Sequence, residues 1–310
     1  MSENKEKEFD LAQVISTAIQ IPGVKVVRES FLRETFKDLP SDTIDLIIEK
    51  GPIEAGCTRQ ELLNKANRII KSRTIFSTSA SFVAGIPGGF FMAATIPADL
   101  IQFYGVALRM AQELVYLYGE ADMWCEGTPD ADKVTNQLIL YCGVMLGASG
   151  AAQMIRIMSS KLAEQILKKL PQQALTKKLY YQVVKMVLKF FGVSVTKSTF
   201  AKGVSKVIPV VGGVISGGIT FASMLPMGKR LMRALDEAHF DYNENDVKSD
   251  IEELSNVYFK DISDECLSEE KSDDSKDILN KIQQAKKMYD DGIITEEEFL
   301  EIKLKLISQL

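Results

Sequence analysis

Residues 97–119, PADLIQFYGVALRMAQELVYLYG, carry the clearest helical pattern in the chain. The apolar residues recur every three or four positions, so they line one face of a helix. They are Leu100, Phe103, Tyr104, Ala107, Leu108, Ala111, Leu114, Val115 and Tyr118. Pro97 and Gly119 bound the pattern, since proline is typical of helix starts and glycine of helix ends. Arg109 and Glu113, four positions apart on the opposite side, are typical of a solvated ion pair.

The same periodicity covers most of the chain, and no segment alternates polar and apolar residues between hairpin turns. We therefore predict an all-α protein, a multi-helix bundle with Gly/Pro-interrupted hydrophobic helical hairpins. Short helices are expected in the first sixty residues. Thr58 and Glu61 stand at capping-box spacing and predict the start of a further helix.

Three uncharged stretches, residues 74–98, 134–155 and 207–228, each exceed twenty residues, the length of a membrane-spanning helix. Glycine and proline interrupt the first and the third. The interrupting residues are Pro87, Gly88, Gly89, Pro97, Pro209, Gly212, Gly213, Gly217 and Gly218, and Pro226 follows. We expect hairpins there, either inserted shallowly in a membrane or packed in a core. In the second stretch, Gly143, Gly147 and Gly150 permit close approach of two helices in either setting.

The net charge of -5 is unevenly distributed along the chain. Residues 156–206 hold eleven Lys or Arg and one acid, whereas residues 236–276 hold fifteen acids and four lysines. In the basic region, an apolar stripe is flanked by lysines. The stripe is Leu179, Val183, Met186, Val187 and Phe190, and the basic residues of interest are Lys178, Lys185, Lys189, Lys202 and Lys206. Because these lysines lie between uncharged stretches, they predict contact with an anionic membrane surface; a solvated helix face is the alternative, and no nucleic-acid partner is expected.

The end of the chain predicts a separate small hairpin. Residues 239–276 are acidic and serine-rich, typical of a flexible, partly helical tether, and divide a domain over 1–238 from a hairpin over 277–310. A helix up to Tyr289 should stop at the turn around Gly292. Thr295 can cap the next helix with Glu298 at the reciprocal position, while Ile294 and Phe299 stand at hydrophobic-staple spacing.

Two parts of the chain resemble known families. Residues 276–305, with the core GIITEEEF at 292–299, resemble the SHOCT domain, which implies oligomerisation or association with a partner. IPGVKVVRESFL at 21–32, IPADL at 96–100, RMAQ at 109–112, YG at 118–119 and KVIPVVGG at 206–213 resemble the bacterial EcsC family. That resemblance implies no established activity and no catalytic residues.

Residues that could carry catalysis are sparse. His239 is the only histidine, no phosphate-binding glycine motif is present, and the four cysteines form no Cys-x-x-Cys pair. We expect no catalytic residue, no cofactor and no metal. Asp99, in the first turn after Pro97, is explained by the exposed N–H groups of a helix start. The alternative is a buried pair with Lys206, Arg230 or Arg233.

The expected function is therefore a non-catalytic scaffold at the cytoplasmic membrane face. The first residues lack the pattern of a secretory signal, so a cytoplasmic location is expected, peripheral to the inner membrane or shallowly inserted in it. Two alternatives remain: a fully soluble helical interaction protein, and an undescribed enzyme with a pocket joining Asp99, Arg109 and a third polar group.

Overall fold

The computed structural model describes residues 11–77, 98–124, 131–169, 173–194, 218–268, 281–282, 284–289 and 295–307. Every regular element in these ranges is an α-helix, which confirms the all-α prediction. The chain divides into two compact units, the first made of residues Met1–Ser159 and Val184–Asp241, the second of Ser160–Val183 and Tyr242–Leu310. The domain boundaries expected from the sequence remain predictions.

The helices of the first unit are α1 (Leu11–Ile19), α2 (Arg28–Thr35), α3 (Ser41–Lys50), α4 (Arg59–Ser77), α5 (Ala98–Leu117), α6 (Ala131–Leu146), α7 (Ala151–Ser159) and α10 (Gly218–Phe240). Those of the second unit are α8 (Lys161–Lys169), α11 (Glu244–Ser268) and α12 (Glu296–Ile307). Helix α9 (Gln173–Ser194) contributes residues to both units.

Helix α5 is enclosed on nearly all sides, because α1, α2, α4, α6 and α10 all pack against it. From Phe103 to Tyr118, the apolar stripe expected from the sequence is buried. Glu113, which was expected to be solvated, is buried as well, together with the nearby Gln112 and Tyr116. Each of these polar side chains has hydrogen-bond partners, as buried polar groups require.

Helix α10 packs against α4, α5, α6 and α7. A Cβ atom at Gly228 would lie 2.8 Å from Ile70 Cγ1 and 3.0 Å from Met110 Sδ, so glycine permits close approach to α4 and α5. Pro226 was expected to interrupt this segment, but it lies inside α10. Packing on four helices offsets the free energy that is lost because proline cannot donate a backbone hydrogen bond.

The second uncharged stretch folds into α6, a tight turn and α7. Gly147 and Gly150 have φ angles of 80° and 77°, values that favour glycine, and they form the turn. Gly143 sits in α6 against Val187 of α9 and Ala151 of α7. Among the residues that the structure describes, no helix has both the length and the apolar content needed to cross a membrane.

In the second unit, α8 packs against α11. Helix α11 occupies most of the segment expected to be a partly helical tether, and it buries Val247, Ile251 and Leu254. Residues 281–282 and 284–289 are helical and precede α12. The ring of Tyr289 stacks on that of Phe299 with centroids 5.4 Å apart. Phe299 is buried, so the two parts of the C-terminal hairpin share an apolar contact.

Both capping boxes expected from the sequence are confirmed. At the start of α4, the N–H and hydroxyl of Thr58 each donate to a carboxylate oxygen of Glu61 at 2.8 Å. At the start of α12, the N–H of Thr295 donates to Glu298 at 2.9 Å, and its hydroxyl lies 3.0 Å from the same oxygen. These donors lower the pKa of both glutamates.

Candidate functional site

A cavity of about 650 Å³ opens in the first unit, between α2, α4, α5 and the segment that joins α1 to α2. Four basic side chains line it: Lys25, Arg68, Arg73 and Arg109. Two acids, Glu34 and Glu113, and three hydroxyl groups, of Ser30, Thr35 and Ser72, complete the polar lining, and Val26, Val27, Phe31 and Ile69 supply apolar surface. We call this feature the cationic cleft.

Glu113 of α5 lies at the base of an arginine–glutamate–arginine triad. Arg73 Nε donates to Glu113 Oε2 at 2.7 Å, and Arg73 Nη2 donates to Oε1 at 2.5 Å. Arg109 Nε donates to the same Oε1 at 3.0 Å. The Glu113 side chain is only 2% exposed, whereas those of Arg73 and Arg109 are 24% and 32% exposed. The expected ion pair between Arg109 and Glu113 is present, but the expectation that it is solvated was wrong. Its carboxylate is buried, and α4 brings a second arginine to it.

The segment before α2 is fixed to α5 by a second set of bonds. Gln112 accepts a hydrogen bond from the N–H of Val26 at 3.1 Å and donates to the carbonyl of Val24 at 2.9 Å. Arg109 Nη1 donates to the carbonyl of Gly23. These bonds hold the backbone on both sides of Lys25. The ammonium group of Lys25 lies 4.7 Å from the centre of the Trp124 ring, a cation–π contact at the rim of the cleft.

Helix α4 forms the opposite wall. Lys65 donates to the carbonyl of Thr35 at 2.6 Å and lies over the ring of Phe36, which ties α4 to the end of α2. Arg68 and Ser72 follow on one face at a spacing of four residues, and both are exposed. Among the described residues, Arg68 makes no hydrogen bond or ion pair.

The lining side chains carry a surplus of positive charge, since four bases face two acids. Glu34 is further compensated by Lys37, whose ammonium lies 2.7 Å from it. Such a surplus attracts anions and offers them arginine donors. Over the described ranges, no group of three or more His, Cys, Asp or Glu side chains is placed to hold a metal ion.

Of the residues that line this cleft, only Arg109 and Glu113 were predicted from the sequence to interact. A signal for the rest is present in α4, which carries Arg59, Lys65, Arg68, Lys71 and Arg73 against the single acid Glu61. That excess marks a basic helix. It does not indicate that α2 and the segment around Lys25 lie across from it, because those residues are about forty positions away.

His239 takes part in a different network, at the end of α10. Its ring stacks on Tyr118 with centroids 6.0 Å apart, and the Tyr118 hydroxyl donates to Asp236 at 3.3 Å. Burial, and then the nearby Asp236 carboxylate, raise the pKa of Tyr118 above its ordinary range. Arg59 donates to Asp236 at 2.7 Å and also binds Asp241, so the network joins the start of α4 to the end of α10.

The residues expected at a membrane fall into two groups. The first group lies outside the described residues, except for Gly218, which begins α10: Pro87, Gly88, Gly89, Pro97, Pro209, Gly212, Gly213, Gly217, Lys202 and Lys206. Gly292, the expected turn of the C-terminal hairpin, also lies outside the described residues. In α9, Lys185 and Lys189 are exposed, whereas Leu179, Val183 and Val187 are buried. Phe190 belongs to the predicted apolar stripe and is 41% exposed, and Tyr181 is 52% exposed. Lys178 lies in α9, with its side chain outside the described part.

Asp99 is the second residue of α5, as its assignment to a helix first turn requires, but its side chain lies outside the described part of the chain. Of its expected partners, Arg230 donates to the carbonyl of Met145 at 2.9 Å. The cleft therefore joins Arg109 to Arg73 and Glu113, and the part that Asp99 plays remains a prediction.

Comparisons of the chain with protein-family models, curated proteins and solved structures found no match.

Proposed function

We propose that this protein is a non-catalytic scaffold that associates with the cytoplasmic face of a bacterial membrane. The observation that carries the proposal is the surface of α9 formed by Lys185, Lys189 and Phe190. We call it the α9 surface. All three residues are exposed although Phe190 is a large aromatic side chain. A cation gains roughly 1 kcal/mol near an anionic leaflet, and phenylalanine is typical of the apolar face that a basic amphipathic helix buries in the membrane interface.

The resemblance to the EcsC family, which has no established catalytic residues, agrees with a role in binding. The resemblance of the C-terminal hairpin to SHOCT domains supports a second contact, with a partner protein or with another copy of the chain. The scaffold would then hold that partner at the membrane. In the proposal, the α9 surface supplies the location and the hairpin supplies the partner.

A fully soluble interaction protein is the second candidate. The observation that favours it is the folding of the second uncharged stretch into α6 and α7, which pack on α10 inside the first unit. That stretch uses its apolar residues in the protein core. In this case the α9 surface would contact a protein partner.

Flotation with liposomes separates the two candidates. The full chain should float with phosphatidylglycerol vesicles at low salt and stay in the dense fraction with phosphatidylcholine vesicles. Reversing both lysines, Lys185→Glu with Lys189→Glu, should lower the partition constant at least roughly thirtyfold, since two lost attractions amount to about 2 kcal/mol. The matched control is Lys50→Glu with Lys71→Glu, an equal charge change at exposed lysines of α3 and α4.

The membrane proposal fails if the wild-type chain stays in the dense fraction with anionic vesicles at low salt. It also fails if the control loses as much binding as the α9 variant, because attraction would then depend on net charge alone. Replacing Phe190 with serine should weaken flotation without changing its dependence on salt.

A further inference from the structure

We infer that the cationic cleft is a binding site for an organic phosphate monoester. This inference does not depend on the proposed membrane role, because the cleft and the α9 surface share no residue. It concerns the first unit alone, in which all the lining residues lie.

The first support is the supply of donors. Arg73 uses Nε and Nη2 on Glu113, so its Nη1 group has no hydrogen bond within the described part of the chain. Arg109 uses Nε on Glu113 and Nη1 on Gly23, so its Nη2 group also makes no hydrogen bond within the described part of the chain. The guanidinium group of Arg68 donates no hydrogen bond to any residue that the structure describes. Phosphate is bound well by several arginine donors because it offers three strong acceptor oxygens.

The second support is that two of the arginines are held in place before any ligand arrives. Glu113 is buried and accepts three hydrogen bonds, two from Arg73 and one from Arg109. A ligand therefore orders these side chains at little further cost in conformational entropy. Because the triad keeps a net charge of +1 and Lys25 and Arg68 add two more, the site remains positive after Glu34 is counted.

The third support is the size and lining of the cleft. A volume of about 650 Å³ lies within the range of small-molecule sites and exceeds what a phosphate ion alone would fill. Val27, Phe31 and Ile69 provide apolar contact for an organic group, and Val27 is 61% exposed. Ser30 of α2 and Ser72 of α4 are exposed hydroxyl donors in the lining of the cleft. The ligand therefore combines a dianionic phosphate with a small organic body, such as glycerol phosphate or the headgroup of phosphatidic acid.

Calorimetric titration of the full chain tests the site, with glycerol 3-phosphate as the probe and acetate at equal ionic strength as the non-phosphate anion. Arg68→Glu should weaken binding of the probe at least about tenfold, as expected for the loss of a charge-assisted hydrogen bond. Lys71→Glu is the matched control, since it makes the same charge change three residues away on an exposed position outside the cleft. The control should bind the probe within about twofold of the wild-type chain.

Ser72→Asp provides a second variant, because this exposed serine can be replaced without disturbing the core and the new carboxylate should repel phosphate. Circular dichroism checks that each variant remains folded. Vesicles containing phosphatidic acid, tested with Lys185→Glu and Lys189→Glu in place, distinguish a lipid headgroup from a soluble ligand. Binding of the soluble probe, or binding of phosphatidic acid vesicles that Arg68→Glu abolishes, supports the inference.

Three results would overturn it. The first is that neither the probe nor phosphatidic acid vesicles bind when the probe or the phosphatidic acid is present at millimolar concentration. The second is acetate binding as tight as that of the probe. The third is an equal loss in Arg68→Glu and Lys71→Glu, because the effect would then come from net charge and not from the cleft.

Discussion

Replacing Gly143 with alanine should destabilise the first unit because α6 and α9 approach too closely there for a methyl group. A Cβ atom at this position would lie 2.7 Å from Val187 Cγ2, 3.0 Å from Val187 Cγ1 and 3.2 Å from Ala151 Cβ. Overpacking of this kind costs about 1–3 kcal/mol. Alanine in place of glycine within a helix regains about 1 kcal/mol. We expect Gly143→Ala to lower the free energy of unfolding by about 1 kcal/mol, the difference between these effects.

The sign of that effect should reverse once Val187 is shortened. Val187→Ala alone removes two buried methyl groups and should cost about 2 kcal/mol. In that background, the methyl group added by Gly143→Ala occupies vacated space and the gain in helix propensity remains, so the double variant should be about 1 kcal/mol more stable than Val187→Ala. The interaction energy of the double-mutant cycle is then about 2 kcal/mol.

Urea unfolding followed by tryptophan fluorescence measures the free energy of unfolding of each variant, because Trp124 is the only tryptophan and belongs to the first unit. Val184→Ala is the matched control, since Val184 is a buried valine of the same helix but does not supply any of the three atoms nearest to the Gly143 Cβ position. Gly143→Ala should still destabilise that background. Additive effects of Gly143→Ala and Val187→Ala would refute the contact on which the reasoning rests.

Two further outcomes are expected. Deleting residues 277–310 should lower the number of chains per particle, which light scattering gives as the molar mass divided by the mass of one chain, and leave the emission of Trp124 unchanged; an unchanged number of chains would contradict self-association through the hairpin. Glu61→Gln should be less stable than the wild-type chain at pH 7, because hydrogen bonds from Thr58 lower the pKa of Glu61. That advantage is complete above the ordinary pKa of glutamate and is lost as pH falls through the lowered pKa, so the two unfolding curves should converge in acid. Glu49→Gln, at an exposed glutamate of α3, serves as the control, and a gap that persists below the lowered pKa would contradict the cap.

Features that depend on neighbours in sequence were predicted well. The capping boxes at Thr58 and Thr295 need only residues three positions apart, so their spacing determines the hydrogen bonds. The helix after Pro97 follows from a long apolar periodicity. In both cases the local pattern and the packed structure favour the same conformation.

Features that depend on distant segments were not predicted. The spacing of Arg109 and Glu113 indicates an ion pair, but the burial of Glu113 depends on Arg73, which is forty residues away. The exposure of Phe190 likewise depends on which helices cover α9, whereas periodicity alone showed only that Phe190 belongs to the apolar stripe of that helix. For Gly143, spacing predicted a close helix contact but could not distinguish a lipid setting from a core, and the contact with Val187 supplied the partner.

The triad around Glu113 has a bearing on function as well as on stability. Burying a carboxylate is costly, and a well-packed apolar side chain of similar size would often leave a protein equally stable or more so. Stability alone is therefore a weak reason for two arginines on α4 and α5 to converge on Glu113. What apolar residues could not provide is a pair of guanidinium groups fixed at a cavity wall beside Arg68, each with a nitrogen that makes no hydrogen bond to the described residues. If the buried carboxylate serves to position Arg73 and Arg109, then Arg73→Lys, which keeps the charge but removes the fork, should weaken phosphate binding more than it lowers stability.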